Sequence, residues 1–157
     1  MSDYTRRSFL RLGALTVACL GGLASGALSP RTVLAAWPQK AFDAADTDGV
    51  MKAMYDGQVP EVSAQITIVA PEIAENGTVV PITVSSAIPN TEAISFVLEG
   101  NPRPLAATYR FPTQTRPEVT TRFKLAKTQP ITAIVRADGK LYKASREIKV
   151  TIGGCGG

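Results

Sequence analysis

Histidine is absent from the 157 residues, and cysteine occurs only twice. Transition-metal centres are built mainly from clustered imidazole and thiolate ligands, so the usual ones are excluded. The commonest general acid–base group is missing too, which argues against a self-sufficient hydrolase. There is no internal repeat, and no low-complexity tract beyond a glycine-rich end. The basic excess is mostly local. The chain carries 17 basic and 13 acidic residues, but Arg6, Arg7, Arg11 and Arg31 against Asp3 fall within the first 35. The remaining 13 basic and 12 acidic residues nearly cancel, so composition implies neither nucleic-acid nor membrane binding, and no cofactor is called for.

What is present begins with an export signal. Thr5-Arg6-Arg7-Ser8-Phe9-Leu10-Arg11 has the twin-arginine pattern. An apolar Gly- and Ala-rich stretch, Leu12–Leu28, supplies the h-region and is too mild for a convincing permanent anchor. Val33-Leu34-Ala35 offers small-residue cleavage chemistry, with Leu34-Ala35-Ala36 an alternative one residue later. Residues 1–35 are therefore expected to be cleaved and the remainder to reach the periplasm by the twin-arginine route. Cys19 would leave with the signal, and Thr16 stands where a lipoprotein motif needs leucine. The mature chain keeps one cysteine, Cys155, which cannot form an internal disulfide.

Roughly 120 residues remain, enough for one domain with one core. Trp37-Pro38-Gln39-Lys40 reads as an extended leader. The spacing predicts a helix over 47–55, with Thr47 as N-cap and Gly57 as C-cap. From Val62 onward the apolar period becomes two. Val62 to Ala70 reads as one half-buried strand, ended by Pro71. Val80, Ile82 and Val84 mark the next; Pro81 lacks an N–H and requires an edge or an outward-facing position there. Further strands are marked by Ile94, Phe96 and Leu98, then by Leu105 to Phe111, then by Val119 to Leu125. Ile131 to Ala137 leads into Asp138-Gly139, a strong hairpin signal, and the return strand runs to Ile152. Arg146 interrupts its apolar face and implies a bulge or a place at the rim. Seven such strands predict an all-β fold: an immunoglobulin-like antiparallel β-sandwich over 36–152, with a short N-terminal helix and a C-terminal arm.

That arm is Gly153-Gly154-Cys155-Gly156-Gly157. Glycine imposes little conformational preference, so residues 153–157 are expected to form a thin swinging arm reaching roughly 15 Å past the last strand. A thiolate needs a nearby positive charge or a helix N-terminus. The arm has neither, and its own carboxylate is two residues away. An unactivated thiol on a narrow arm suits insertion into another protein's active site; an incidental tail or a disulfide-linked homodimer is the alternative. Elsewhere, Asn101-Pro102-Arg103-Pro104 and the stretch Phe111-Pro112 to Arg116-Pro117 place prolines and arginines in loops that read as near neighbours. They form either a docking surface or ordinary turn punctuation. Exposed sheet edges add a physical basis for a β-rich partner.

Three features together resemble the SoxY family, the carriers of the periplasmic sulfur-oxidising system. They are the terminal Gly-Gly-Cys-Gly-Gly, the twin-arginine leader, and Pro71-Glu72-Ile73-Ala74-Glu75-Asn76-Gly77-Thr78-Val79-Val80-Pro81. The resemblance covers essentially the whole mature chain. It implies that Cys155 is the covalent attachment point for sulfur intermediates and that Gly153, Gly154, Gly156 and Gly157 form its arm. It also implies a heterodimer with a SoxZ-like β-sandwich subunit. The partner enzymes would be a haem-containing enzyme that couples thiosulfate to the thiol, a sulfate-releasing hydrolase and a sulfane oxidase. No catalytic residue and no metal ligand follow from it. Two other readings stand beside the carrier: a thiol enzyme with a depressed Cys155 pKa, and a non-catalytic binding or assembly module whose cysteine only cross-links.

Overall fold

The period-two alternation from residue 61 onward folds into nine strands in the computed structural model, which describes residues 38–151. In chain order they are β1 (Glu61–Val62), β2 (Ile66–Val69), β3 (Ile73–Ala74), β4 (Val80–Ser86), β5 (Thr91–Leu98), β6 (Leu105–Arg110), β7 (Glu118–Phe123), β8 (Gln129–Ala137) and β9 (Lys140–Val150). One sheet has the order β1-β9-β8-β5-β6, with β3 also on the outer edge of β9; the other is β2-β4-β7. Their facing sides interdigitate around Ile82, Val84, Phe96, Ile131, Val135 and Ile148. Phe96 sits at the centre, edge-on to Tyr109 at 5.9 Å and tilted against Phe123 at 5.0 Å. The fold is an all-β sandwich, as the periodicity implies.

Two helices, α1 (Gln39–Phe42) and α2 (Thr47–Tyr55), cover the outer face of the larger sheet. Ala41, Val50, Met51 and Tyr55 pack on Val97, Leu105, Ile134 and Leu141. Strand β5 is consequently buried on both faces from Ala93 to Leu98. The helix span matches the sequence reading, but its caps do not. Asp46, not Thr47, is the N-cap, and its carboxylate accepts the Gly49 N–H at 2.7 Å. At the other end Asp56 (φ 52) is the C-cap and Gly57 (φ 77) follows it in the same left-handed region, and both N–H groups converge on the Met51 carbonyl. Gln39 and Lys40, read as extended, instead open α1.

The expected strand from Val62 to Ala70 is two strands in two sheets. Ser63 makes the break: its hydroxyl accepts the Gln65 N–H at 3.2 Å and turns the chain across the sandwich. The apolar alternation runs unbroken through this crossing, yet Val62 ends 82% exposed. Strand β1 pairs with β9 at Glu61↔Tyr142 and β3 pairs with it at Ile73↔Lys149, both parallel, so the sandwich is not wholly antiparallel. Pro81 lies in a central strand, but β2 pairs with β4 only from Thr83 to Ser86, so the strand is locally an edge there. Asp138 and Gly139 both have positive φ, 48° and 72°, the geometry of a type I′ hairpin. Arg146 stands at the rim, where its guanidinium donates to the Ile68 carbonyl of the other sheet at 3.3 Å.

Beneath α2, the Tyr55 hydroxyl hydrogen-bonds Ser95 at 2.7 Å and is almost wholly buried. Burial pushes its pKa above the ordinary 10.0, against the lowering effects of the Ser95 bond and the Arg136 charge. Above about pH 10 the unfolded chain loses this proton before the folded one does, so stability falls as pH rises. Urea unfolding midpoints should therefore drop between about pH 9 and about pH 11, and Tyr55→Phe should flatten that drop while costing about 1 kcal/mol at neutral pH.

Candidate functional site

The residues singled out for export and chemistry, Arg6, Arg7, Cys155, Gly153, Gly154, Gly156 and Gly157, lie outside the described residues, as does Ile152. The structure describes the platform that leads to Cys155. Strand β9 runs eleven residues and its end is held from both sides. On the β8 side the ladder stops at Gln129↔Ile148. Beyond it the Thr128 hydroxyl takes over, accepting the Val150 N–H at 2.9 Å and donating to the Val150 carbonyl at 3.4 Å. On the other side, the Lys149 N–H donates to Glu72 at 3.0 Å and the Thr151 N–H to Ala74 at 3.1 Å. The Thr151 hydroxyl closes the grip on the Glu75 carbonyl at 3.1 Å. Two segments, 128–129 and 72–75, thus hold the chain up to the last described residue.

The stretch 71–81, noticed in the sequence as a motif, supplies most of this grip. Ile73 and Ala74 form β3 beside the end of β9. Asn76 then accepts from both the N–H and the hydroxyl of Thr78, at 2.8 and 2.6 Å, which tightens the turn. The Gly77 carbonyl accepts the Leu125 N–H at 2.7 Å, tying the same turn to the end of β7. Sequence reasoning missed β3, Thr128 and Thr151. A two-residue strand has no detectable period, and a threonine hydroxyl in a loop gives no pattern at all.

A second polar network braces the same end of the sandwich. Gln129 is buried, accepts the Gly100 N–H at 2.7 Å and donates to Asn101 at 2.9 Å. Asn101 in turn receives the Ala126 N–H at 3.1 Å and donates to the Lys124 carbonyl at 2.8 Å. The loop that carries Thr128 is therefore fixed at both ends.

The proline–arginine loops do not form one surface. Residues 101–104 and 111–117 flank opposite ends of β6. Arg103 pairs with Asp43 at 2.7 Å and Arg116 with Glu118 at 2.9 Å, both exposed. Pairs of that kind contribute about 0–1 kcal/mol. The exposed large hydrophobics among the described residues, Val59, Val62, Val69, Ile73 and Val79, all fall within 59–79, the stretch that supplies β1 and β3 to the edge of β9 and β2 to the other sheet. Among the described residues, no group of His, Cys, Asp and Glu could hold a metal, and no helix is long and apolar enough to cross a membrane.

Fold and site together define a helix-backed β-sandwich module whose C-terminal strand end is a held platform. The family model of the sulfur oxidation protein SoxY matches residues 51–155. The solved structure of the sulfur carrier protein SoxY from Chlorobium limicola f thiosulfatophilum is 41% identical, with a TM-score of 0.64 over 73% of this chain and 99% of that one. A superoxide reductase (neelaredoxin) from Ignicoccus hospitalis is 28% identical, with a TM-score of 0.49 over 55% of this chain and 80% of that one. No curated protein sequence matches. The chain belongs to the SoxY family of sulfur oxidation proteins.

Thr128 is the side chain that replaces a missing ladder partner, so its removal should loosen the platform without unfolding it. Thr128→Val is expected to speed amide exchange at Val150 and Thr151 about tenfold, with little change at Phe96 or Ile134. Native-state hydrogen exchange followed residue by residue makes the comparison.

Proposed function

We propose that this chain is a covalent carrier of sulfur in the oxidation of thiosulfate, with Cys155 as the attachment point and residues 153–157 as the arm that presents it. The chain is a carrier and not a catalyst. The observation that supports this best is that the family match extends to Cys155, beside a strand end held on both sides as far as Thr151. The solved relative is itself a sulfur carrier protein.

In this reading the Cys155 thiolate and thiosulfate lose two electrons to a haem-containing partner and join as Cys–S–S–SO3−. Water then cleaves the terminal S–S bond in a hydrolase, releasing sulfate and leaving a persulfide on Cys155. Further enzymes oxidise or remove the remaining sulfane sulfur. None of these steps asks this chain for a general base, a metal or a cofactor. Its tasks are to present the thiol at a fixed distance and to admit it through narrow openings, which four flanking glycines permit. A rigid mount contributes because effective concentration falls steeply once a tether lengthens beyond the span it must cover.

The remaining expectations fit the same reading. Arg6 and Arg7 direct twin-arginine export, residues 1–35 are removed, and the carrier works in the periplasm with a SoxZ-like subunit. Twin-arginine export of a chain that needs no cofactor is explained if it folds with a partner lacking a signal of its own and the two leave together.

Intact mass of the protein purified without reductant, from cells oxidising thiosulfate, tests the carrier role. Additions in steps of sulfur or thiosulfate, located on Cys155 and removed by reductant, are expected, and Cys155→Ser should abolish them together with thiosulfate oxidation. Unmodified thiol or a plain disulfide dimer from such cells would instead make the chain a cross-linked assembly module.

A further inference from the structure

Far from the platform, the outer face of the larger sheet carries a cavity of about 410 Å³ beside the C-terminal turn of α2. Its floor is Ala93, and its polar walls include Arg110, Arg136, Glu92, Thr108 and Tyr55. The register explains the shape. Ala93 is paired with Arg110 on one side and with Arg136 on the other. Two guanidinium-bearing residues thus stand two strands apart, about 10 Å between their Cα atoms, with only a methyl group between them. They share the face of Ser95, which bonds Tyr55 of the overlying helix.

The donors in this cavity outnumber their acceptors. Tyr55, Ser95 and Thr108 form a chain of three hydroxyls joined by two hydrogen bonds, of 2.7 and 2.8 Å. Each hydroxyl has one proton, so one of the three is always left without an acceptor in the chain. Ser95 is fully buried, and leaving its proton unspent would carry the full desolvation cost. The surplus donor therefore belongs to Tyr55 or Thr108, and both line the cavity. Arg136 reaches Glu92 through Nε at 3.3 Å, which leaves the two terminal nitrogens of its fork. Arg110 makes no ion pair among the described residues. With one carboxylate against two guanidinium groups, the cavity is cationic and rich in donors.

We propose that this cavity binds a small anion with oxyanion heads, a dicarboxylate or a sulfur oxyanion, held by Arg110, the free fork of Arg136 and the surplus hydroxyl. Its volume lies in the lower part of the range of small-ligand sites. The ligand is not cargo on Cys155. Arg136 is opposite Leu141, and Val150 lies nine residue steps further along β9, about 30 Å along the strand. The four residue steps from Thr151 to Cys155 span at most about 14 Å. The site therefore takes a free anion and stands whether or not the carrier reading holds.

Amide chemical shifts followed during titration of the full chain test the proposal, with sodium thiosulfate, sodium succinate and sodium chloride compared at matched ionic strength. Saturating shifts confined to Ala93, Thr108, Arg110 and Arg136 are expected for thiosulfate or succinate, and whichever saturates first identifies the ligand class. Arg110→Ala should weaken that binding about tenfold, and Thr108→Val should weaken it less. Glu92→Gln should tighten it several-fold, a gain that misfolding cannot imitate. Linear shifts equal to those in chloride would overturn the site, as would an affinity unchanged by Arg110→Ala or lowered by Glu92→Gln.

Discussion

The pairing of β9 on both of its edges is the constraint on which the rest of the structure depends. Strand β8 holds one edge through nine register pairs, from Gln129↔Ile148 to Ala137↔Lys140. On the other edge β1 and β3 each contribute two. Without those short parallel strands, β9 would be a long exposed edge ending in an unsupported terminus, which invites pairing with other chains. With them, the last polar groups before the terminal segment find partners within the fold.

The sandwich around β9 is built so that its central strands are covered on both faces except where Glu92 and Arg136 reach solvent. Helix α2 closes the outer face of β5 and β8, and β4 and β7 close the inner one. Burying both faces removes the freedom that a half-solvated sheet keeps, and it makes the larger sheet a stiff plate. The same covering creates the cationic cavity, because α2 stops at Tyr55 while the strands beneath continue to Glu92, Arg110 and Arg136.

Residues whose role is set by local period or turn chemistry were legible in the sequence. The helix over 47–55, the Asp138-Gly139 hairpin and the inward set Ile94, Phe96 and Leu98 all follow from spacing alone. What was not legible depends on partners distant in the chain. Val62 to Ala70 alternates as a single strand would, and nothing in that alternation shows that Ser63 sends the chain into the second sheet. Asp46 was passed over as a cap because its neighbour Thr47 competes for the position, and only the backbone geometry separates them. The candidate site divides in the same way. Cys155 and its glycines announce themselves by residue type, whereas Thr128, Thr151 and the Ile73-Ala74 strand acquire meaning only when three separate segments converge.

One consequence of the path taken by residues 59–86 concerns cooperativity. The stretch joins the larger sheet at β1, crosses to the smaller at β2, returns at β3 and crosses again into β4. A chain that laces two layers together in this manner cannot release one stitch without straining the next. Freeing the end of β9 from Ala74 and Glu75 therefore also strains the crossings on either side of β3, so the platform opens locally but less readily than a terminus held by a single partner strand.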